Sequence, residues 1–554
     1  MWLIREVGRR AWRRAWTPTS GVYVVTLLLY LLTLSRNSSA SHDSIRYINR
    51  IDAGTWYFHP HHLLYEPTAL VWLKLCRLLG ASADSSLIVS SLNSFFGAGI
   101  VALVFSLLRR SFGHSVTTAL STTALVGVSF GVWFYSVCVE VYVIALFFSM
   151  VALSYLLKRP LSRRGIIGLG LLHGLVVLFH QAYVLVGFAM VARIFFTTRD
   201  FPLSRIRAFA LYLLPAAAVS VSAYLAVLIW SVRAESASAA LLWFTDYAHG
   251  LPHMWSTPSV KSLMKAAIGF THSFVGGQFV FATSFRDQLS AFLAGKELRD
   301  ELYLVRNLSS SVAGALSVVS MVMGIICAGL IGASFTSLKQ IYRRERDLLL
   351  PIIVWLIAFS LFFFVWEPSN LEFWIPQSVL VWLLLDRLWA HWWPRVPTIV
   401  KACRFVLPAG LLVTNLFGGV LLLRSQEGDY FYARSRAVAS HAGVGDVVIT
   451  HPQWIIEQYF KRFLKSAVFT TDDLFQSGKE NPVAVQRFVA DIGEALSSGR
   501  SVFCTFRPDA DDPSIKVHPK FRGVWHRATS HMLLDEQPLQ VGIDKFWVYR
   551  RRGS

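Results

Sequence analysis

The sequence predicts a polytopic α-helical membrane protein of about eleven spans, with a small α/β domain at its C-terminal end. Three observations lead there. Apolar runs of about 20 residues, the length that crosses a hydrocarbon layer, recur through the first three-quarters of the 554 residues. Lys and Arg gather in the short segments between those runs. Beyond residue 424 the pattern changes to short β-rich runs alternating with helical stretches.

Composition narrows the function classes. With 54% hydrophobic and only 16% charged residues and a mean hydropathy of +0.48, the chain has more apolar surface than a soluble fold of this size can hide. The net charge of +20 would suggest nucleic acid on a soluble domain. Here the basic residues sit at span ends, where they fix topology and meet anionic headgroups, so membrane lipids are the expected partner and nucleic acid is not. The five cysteines are scattered without a C-x-x-C pair, which predicts neither a disulfide framework nor a zinc site.

The elements follow in order. Residues 1–19 carry Arg5, Arg9, Arg10, Arg13 and Arg14 and are expected in the cytoplasm. The run after them lacks a small-residue cleavage site and reads as a retained first span, about 20–35. It delivers an outer loop, 36–84, in which His62–Leu79 is apolar but interrupted by Glu66, Pro67, Lys74 and Arg77, as an interfacial helix would be. Spans two to seven are expected at about 85–108, 115–135, 140–157, 165–179, 182–196 and 208–230. A second outer loop, 231–310, precedes spans eight to eleven at about 311–335, 348–366, 373–389 and 402–423. If His62–Leu79 does not cross, every basic cluster falls on the inner side; if it does, Arg109/Arg110 and Lys158–Arg164 fall outside. The membrane domain thus covers 20–424, and 425–554 is expected as a soluble extracytoplasmic domain. Its runs at 446–450, 467–471 and 501–506 read as strands, and 452–464 and 482–498 as helices. With no G-x-G-x-x-G or P-loop nearby, a nucleotide site is not expected there.

This topology collects the chemistry-bearing residues on the outer face. The first outer loop reads Ser41-His42-Asp43-Ser44-Ile45-Arg46-Tyr47, then Phe58-His59-Pro60-His61-His62-Leu63-Leu64-Tyr65. A carboxylate at a lipid surface is partly desolvated and can serve as a general base, while imidazoles can bind phosphate or donate to a leaving oxygen. The plainer reading makes Asp43 a cap for the helix that follows and leaves the histidines at headgroup level. His59 and His61 flank a proline with no acidic residue at ligand spacing, so a metal is not expected. Glu140, in Tyr135-Ser-Val-Cys-Val-Glu140-Val-Tyr142, is a carboxylate inside apolar sequence, which tends to face a cavity, pathway or partner. His180-Gln181 and Glu367/Glu372 occupy later outer turns, where the plainer reading is an interfacial turn. The sequons at Asn37 and Asn307 fall on the same face.

Taken together, these residues resemble the GT-C superfamily, multi-pass glycosyltransferases that take sugars from polyprenyl-phosphate carriers. In that superfamily an acidic residue follows the first span in an outer loop, as His42-Asp43-Ser44 does here. Phe58–Tyr65 resembles the HPPG-type motif of a bacterial branch, Val139-Glu140-Val141-Tyr142 its A-E-V-Y motif, and His180-Gln181 a later G-N-H-type turn. Two departures stand out: His61-His62 replaces Pro-Gly, and Asp43 lacks a Gly-Asp-Ser-Gly frame. The resemblance implies an inverting transferase of the plasma (bacterial inner) membrane. Its partners would be a polyprenyl-phosphate sugar donor and a glycan, lipid or protein acceptor, with no cofactor. Asp43 and Glu140 would be the catalytic residues, and Arg46, His59, His61, His62, Tyr65, Tyr142, His180, Gln181 and Glu372 would bind substrate. A transporter or flippase is the main alternative, yet no internal repeat is visible and the ionisable residues favour outer turns over span centres. An O-antigen polymerase or ligase and a non-enzymatic assembly protein are the others.

Overall fold

Ser85–Arg110 shows how the sequence builds its spans. Asp84 caps the helix by accepting from Ser86 N–H, its 26 residues carry no charge before Arg109, and Arg109 and Arg110 end it. The description rests on a computed structural model covering residues 17–55, 57–157, 161–196, 204–250, 254–292, 298–392, 398–450, 454–476, 479–509, 518–541 and 544–552. The basic N-terminus expected in the cytoplasm lies outside these residues, as do Lys158, Arg159, Arg199 and Arg395.

The chain divides into two compact units. The larger comprises Met1–Arg36, Arg50–Lys296 and Val305–Arg424; the smaller comprises Asn37–Asn49, Glu297–Leu304 and Ser425–Ser554. The soluble tail of the sequence reading therefore gathers two further segments from the outer loops.

In the larger unit all the expected spans are helical, but they are not equivalent. Five helices, Ser85–Arg110, Arg205–Val232, Ser310–Ser334, Lys339–Val365 and Lys401–Arg424, are long and apolar enough to cross a membrane. The bent pair Val116–Val128 and Phe130–Val137 makes a sixth if it is one span. Others are shorter than crossing length, such as Pro18–Leu32, Tyr142–Leu156 and Arg163–Phe179. Among the described residues five or six helices have crossing length by themselves, beside the eleven spans expected from the sequence. Spans eight and nine meet without a loop: helix continues through the basic segment, and the backbone leaves helical geometry at Glu345. Tyr65–Leu78 is a 14-residue helix, too short to cross, with Val71, Leu75 and Leu78 exposed.

Two devices pack this unit. Gly170 and Gly174 let helix Arg163–Phe179 lie directly against Arg205–Val227; a Cβ on Gly174 would meet Val219 Cβ at 2.7 Å and the Ala216 carbonyl at 2.8 Å. The 61° bend at Ser129 frees backbone groups that polar residues then satisfy. Asn415 donates to the carbonyls of Val128 (2.6 Å) and Phe274 (2.8 Å), while Phe130 N–H and Gly131 N–H donate to the carbonyls of Phe274 and Ser273. The bend turns the fully buried Phe130–Val137 toward the loop that carries Glu140.

The smaller unit contains a five-stranded mixed sheet. Its strands are β1 (Val447–Thr450), β2 (Ala467–Thr470), β5 (Val502–Cys504), β6 (Leu534–Val541) and β7 (Asp544–Arg551), in the order β2-β1-β5-β7-β6. A two-stranded ribbon, β3 (Phe475–Gln476) with β4 (Lys479–Glu480), stands apart from it. β1 runs parallel to β2 and β5, and β7 is antiparallel to β5 and β6. Helices Pro482–Ser497 and Phe521–Thr529 supply Phe488, Ile492, Val524 and Trp525 to its core. The three expected strands are there; the β6–β7 hairpin and the Phe521–Thr529 helix went unread.

Candidate functional site

Glu140 sits in the turn between Phe130–Val137 and Tyr142–Leu156, only 2% exposed. Asn93 holds this turn, donating to the carbonyls of Cys138 (2.8 Å) and Glu140 (2.6 Å). One carboxylate oxygen of Glu140 accepts from Val141 N–H at 3.1 Å. Tyr65 is fully buried; burial first, then the neighbouring Glu140 carboxylate, hold its phenol well above the ordinary range, so it stays a proton donor at neutral pH. Tyr135 donates to Glu372 at 3.2 Å, and Asn370 donates to the other oxygen of Glu372 at 2.9 Å. The Tyr142 ring lies between its neighbours, 5.5 Å from Tyr135 and 5.0 Å from His180.

The histidine loop docks on the same cluster. Gln181 N–H donates to the His61 carbonyl at 2.7 Å, and Leu64 N–H to the Leu178 carbonyl at 3.0 Å. Pro60 turns the loop and its carbonyl accepts from Tyr224 at 2.5 Å. The turn stacks the His59 and His62 rings at 4.5 Å and sets His61 edge-on to His59 at 5.2 Å. Burial lowers His61 to about 4 and His180 to about 3, so both are neutral at pH 7. A neutral ring offers a single N–H donor. Among the described residues no group of three or more His, Cys, Asp or Glu could hold a metal ion.

Asp43 and Arg46 belong to the smaller unit. Arg46 donates to the Asp43 carboxylate at 2.8 Å. Among the described residues that carboxylate takes no hydrogen bond from the N–H groups of helix Ser44–Asp52, so the capping reading gives way to a side-chain ion pair. Its side chain remains a third exposed. Asn37 is buried and accepts from Ser39, which closes that sequon.

Several buried polar residues of this cluster escaped the sequence reading. Glu66 was taken as an interruption of an apolar helix; it is wholly buried, accepting from Arg50 at 2.9 Å and from Tyr57 N–H at 2.6 Å, and it ties the histidine loop to its helix. The signal was available, since a carboxylate inside an interfacial helix calls for a partner. Asn93 and Tyr135 gave no such signal, being polar groups inside otherwise apolar runs.

The fold and these buried polar turns define a polytopic α-helical membrane protein with a small mixed sheet in its second compact unit. Two solved structures share the fold over nearly the whole chain. ArnT from Cupriavidus metallidurans bound to undecaprenyl phosphate matches with a TM-score of 0.55 and 12% identity, covering 97% of this chain and 98% of that one. ArnT from the same organism in the apo state matches with a TM-score of 0.56 and 12% identity, covering 95% and 97%. No protein-family model and no curated protein sequence matches the chain.

Proposed function

We propose that the chain is an inverting glycosyltransferase that moves a sugar from a polyprenyl-phosphate carrier to an acceptor hydroxyl on the outer face of the plasma membrane. The observation that carries this reading is the whole-length likeness in fold to a protein that holds undecaprenyl phosphate. The buried polar cluster around Glu140 supports it, because an apolar membrane unit otherwise has little reason to bury Glu140, Tyr65, Tyr135 and His180 together.

In this reading the Asp43 carboxylate takes the proton of the acceptor hydroxyl as its oxygen attacks the anomeric carbon. The bond from that carbon to the phosphate oxygen breaks, the configuration inverts, and polyprenyl phosphate leaves. Base assistance of this kind contributes about 10²–10⁴-fold. Arg46 donates to the carboxylate and orients it. His59, His61 and His62 offer N–H donors to the leaving phosphate, and Tyr142, Gln181, Glu140 and Glu372 orient the sugar or acceptor.

Donor class is tested by binding. Undecaprenyl phosphate should raise the thermal midpoint of the purified chain, and undecaprenol, which lacks the phosphate, should raise it much less. Equal shifts with both lipids, or none with either, would remove the polyprenyl-phosphate assignment.

A further inference from the structure

Resting on Asp43 as the base, we infer that the tail domain positions the catalytic loop, with Asp429 as the principal positioning residue. Asp429 is 1% exposed, and both its oxygens are occupied. Oδ2 accepts from Ser38 N–H (2.9 Å), Ser39 N–H (3.3 Å) and the Tyr459 hydroxyl (2.6 Å). Oδ1 accepts from the Ser39 hydroxyl (2.6 Å) and from Tyr432 N–H (2.8 Å). Three of these five donors belong to the segment that leads into Asp43.

The far end of that segment is held by the same helix that supplies Tyr459. Asn49 donates to the Gln458 backbone carbonyl at 2.9 Å, and Arg462 donates to the Asn49 side-chain amide oxygen at 3.5 Å. Gln458 and Arg462 are four residues apart on helix Trp454–Phe463 and so share one face. Between the two ends, His42 contacts Asp300 at 3.2 Å. Residues 37–49 are therefore tied at start, middle and end, all within one compact unit. A loop that must present a base to a reacting hydroxyl gains from this, since a misplacement of about 1 Å can cost about 10²-fold.

One substitution separates positioning from folding. The Tyr432 contact makes Asp429 the N-cap of helix Tyr430–Ala439, and asparagine caps about as well as aspartate. In Asp429→Asn one oxygen still serves the cap, while the new NH₂ faces the Ser38 and Ser39 N–H groups, which can only donate.

The test compares full-length wild type, Asp429→Asn, Tyr459→Phe and Asp43→Asn. Hydrogen exchange reads the 37–49 segment, and lipid mass spectrometry reads discharge of sugar-loaded polyprenyl phosphate in complemented cells lacking the native copy. Asp429→Asn should raise exchange in 37–49 at least ten-fold and slow discharge about 10- to 100-fold. Its binding of undecaprenyl phosphate should stay that of wild type. Tyr459→Phe should move both readouts the same way by a few-fold, and it serves if Asp429→Asn does not fold. Wild-type discharge by Asp429→Asn, or unchanged exchange in 37–49, overturns the inference. If Asp43→Asn discharges at the wild-type rate, the base assignment falls instead, whatever the exchange data show. If Asp43→Asn is inactive while Asp429→Asn is normal, the base stands and the positioning role falls.

Discussion

Two buried aspartates, one in each compact unit, are stabilised in opposite ways. Asp386 in the membrane unit is fully buried and meets a cation: Arg404 lies 3.1 Å from one oxygen, Thr122 donates to that oxygen at 2.6 Å, and His114 contacts the other. Asp429 in the smaller unit is held by hydroxyls and backbone N–H groups, and burial pushes its carboxyl up from the usual range. The first arrangement joins helices Val116–Val128, Ile375–Trp392 and Thr398–Asn415 through opposite charge. The second grips a loop through directional donors, which fix the course of the backbone. Charge pairing holds helices together; a fan of N–H and O–H donors sets the shape of a segment that has no regular structure of its own.

The contrast can be broken in order of expected effect. Asp43→Asn should cost about 10²–10⁴-fold in transfer with little change in stability, because its carboxylate is a third exposed and paired only at the surface. Asp386→Asn should act the other way. It leaves Arg404 buried without its counter-charge and should destabilise by about 3–5 kcal/mol in thermal or denaturant unfolding. Replacing both partners, Asp386→Leu with Arg404→Met, should recover most of that loss. A double variant no more stable than the single one would show that neutralisation is not what Asp386 does.

A pH series sharpens the same comparison. His61 and His180 are neutral when folded, with values near 4 and 3, but titrate near 6.5 when unfolded. Between those values the unfolded chain binds the extra protons. Stability should therefore be flat above about pH 6.5 and fall below it, by up to about 1.4 kcal/mol per pH unit for each histidine. His61→Gln should make that slope shallower. The smallest effect belongs to His42→Ala, whose contact with Asp300 is half exposed on the histidine side and should contribute less than about 1 kcal/mol.

What the sequence made legible follows from the range of each signal. Apolar runs and their basic flanks act over about 20 residues, so Ser85–Arg110 and Arg205–Val232 lie close to the residues expected of them. The bend at Ser129 was hidden because its compensation comes from Asn415, nearly three hundred residues away. The join at Glu345 was hidden too, because Lys339–Arg346 carries the charges of a loop on a helical backbone. The cluster of Glu140, Tyr142, His180 and Gln181 was readable as polar residues at apolar turns. The grip on Ser38 and Ser39 was not, because Asp429 lies 390 positions beyond Ser39 and looks like an ordinary helix cap. The β6–β7 hairpin was missed because Leu534–Val541 contains a proline and four acidic or amide residues, a poor strand pattern in isolation.

The central claim is tested most directly by the carrier lipid itself. In cells whose native copy is replaced by Asp43→Asn, sugar-loaded polyprenyl phosphate should accumulate, while wild type returns the carrier to its free phosphate form. If both Asp43→Asn and Glu140→Gln clear the loaded carrier as fast as wild type, the assigned site is wrong. If the loaded carrier also fails to accumulate when the chain is absent, the transferase reading fails with it.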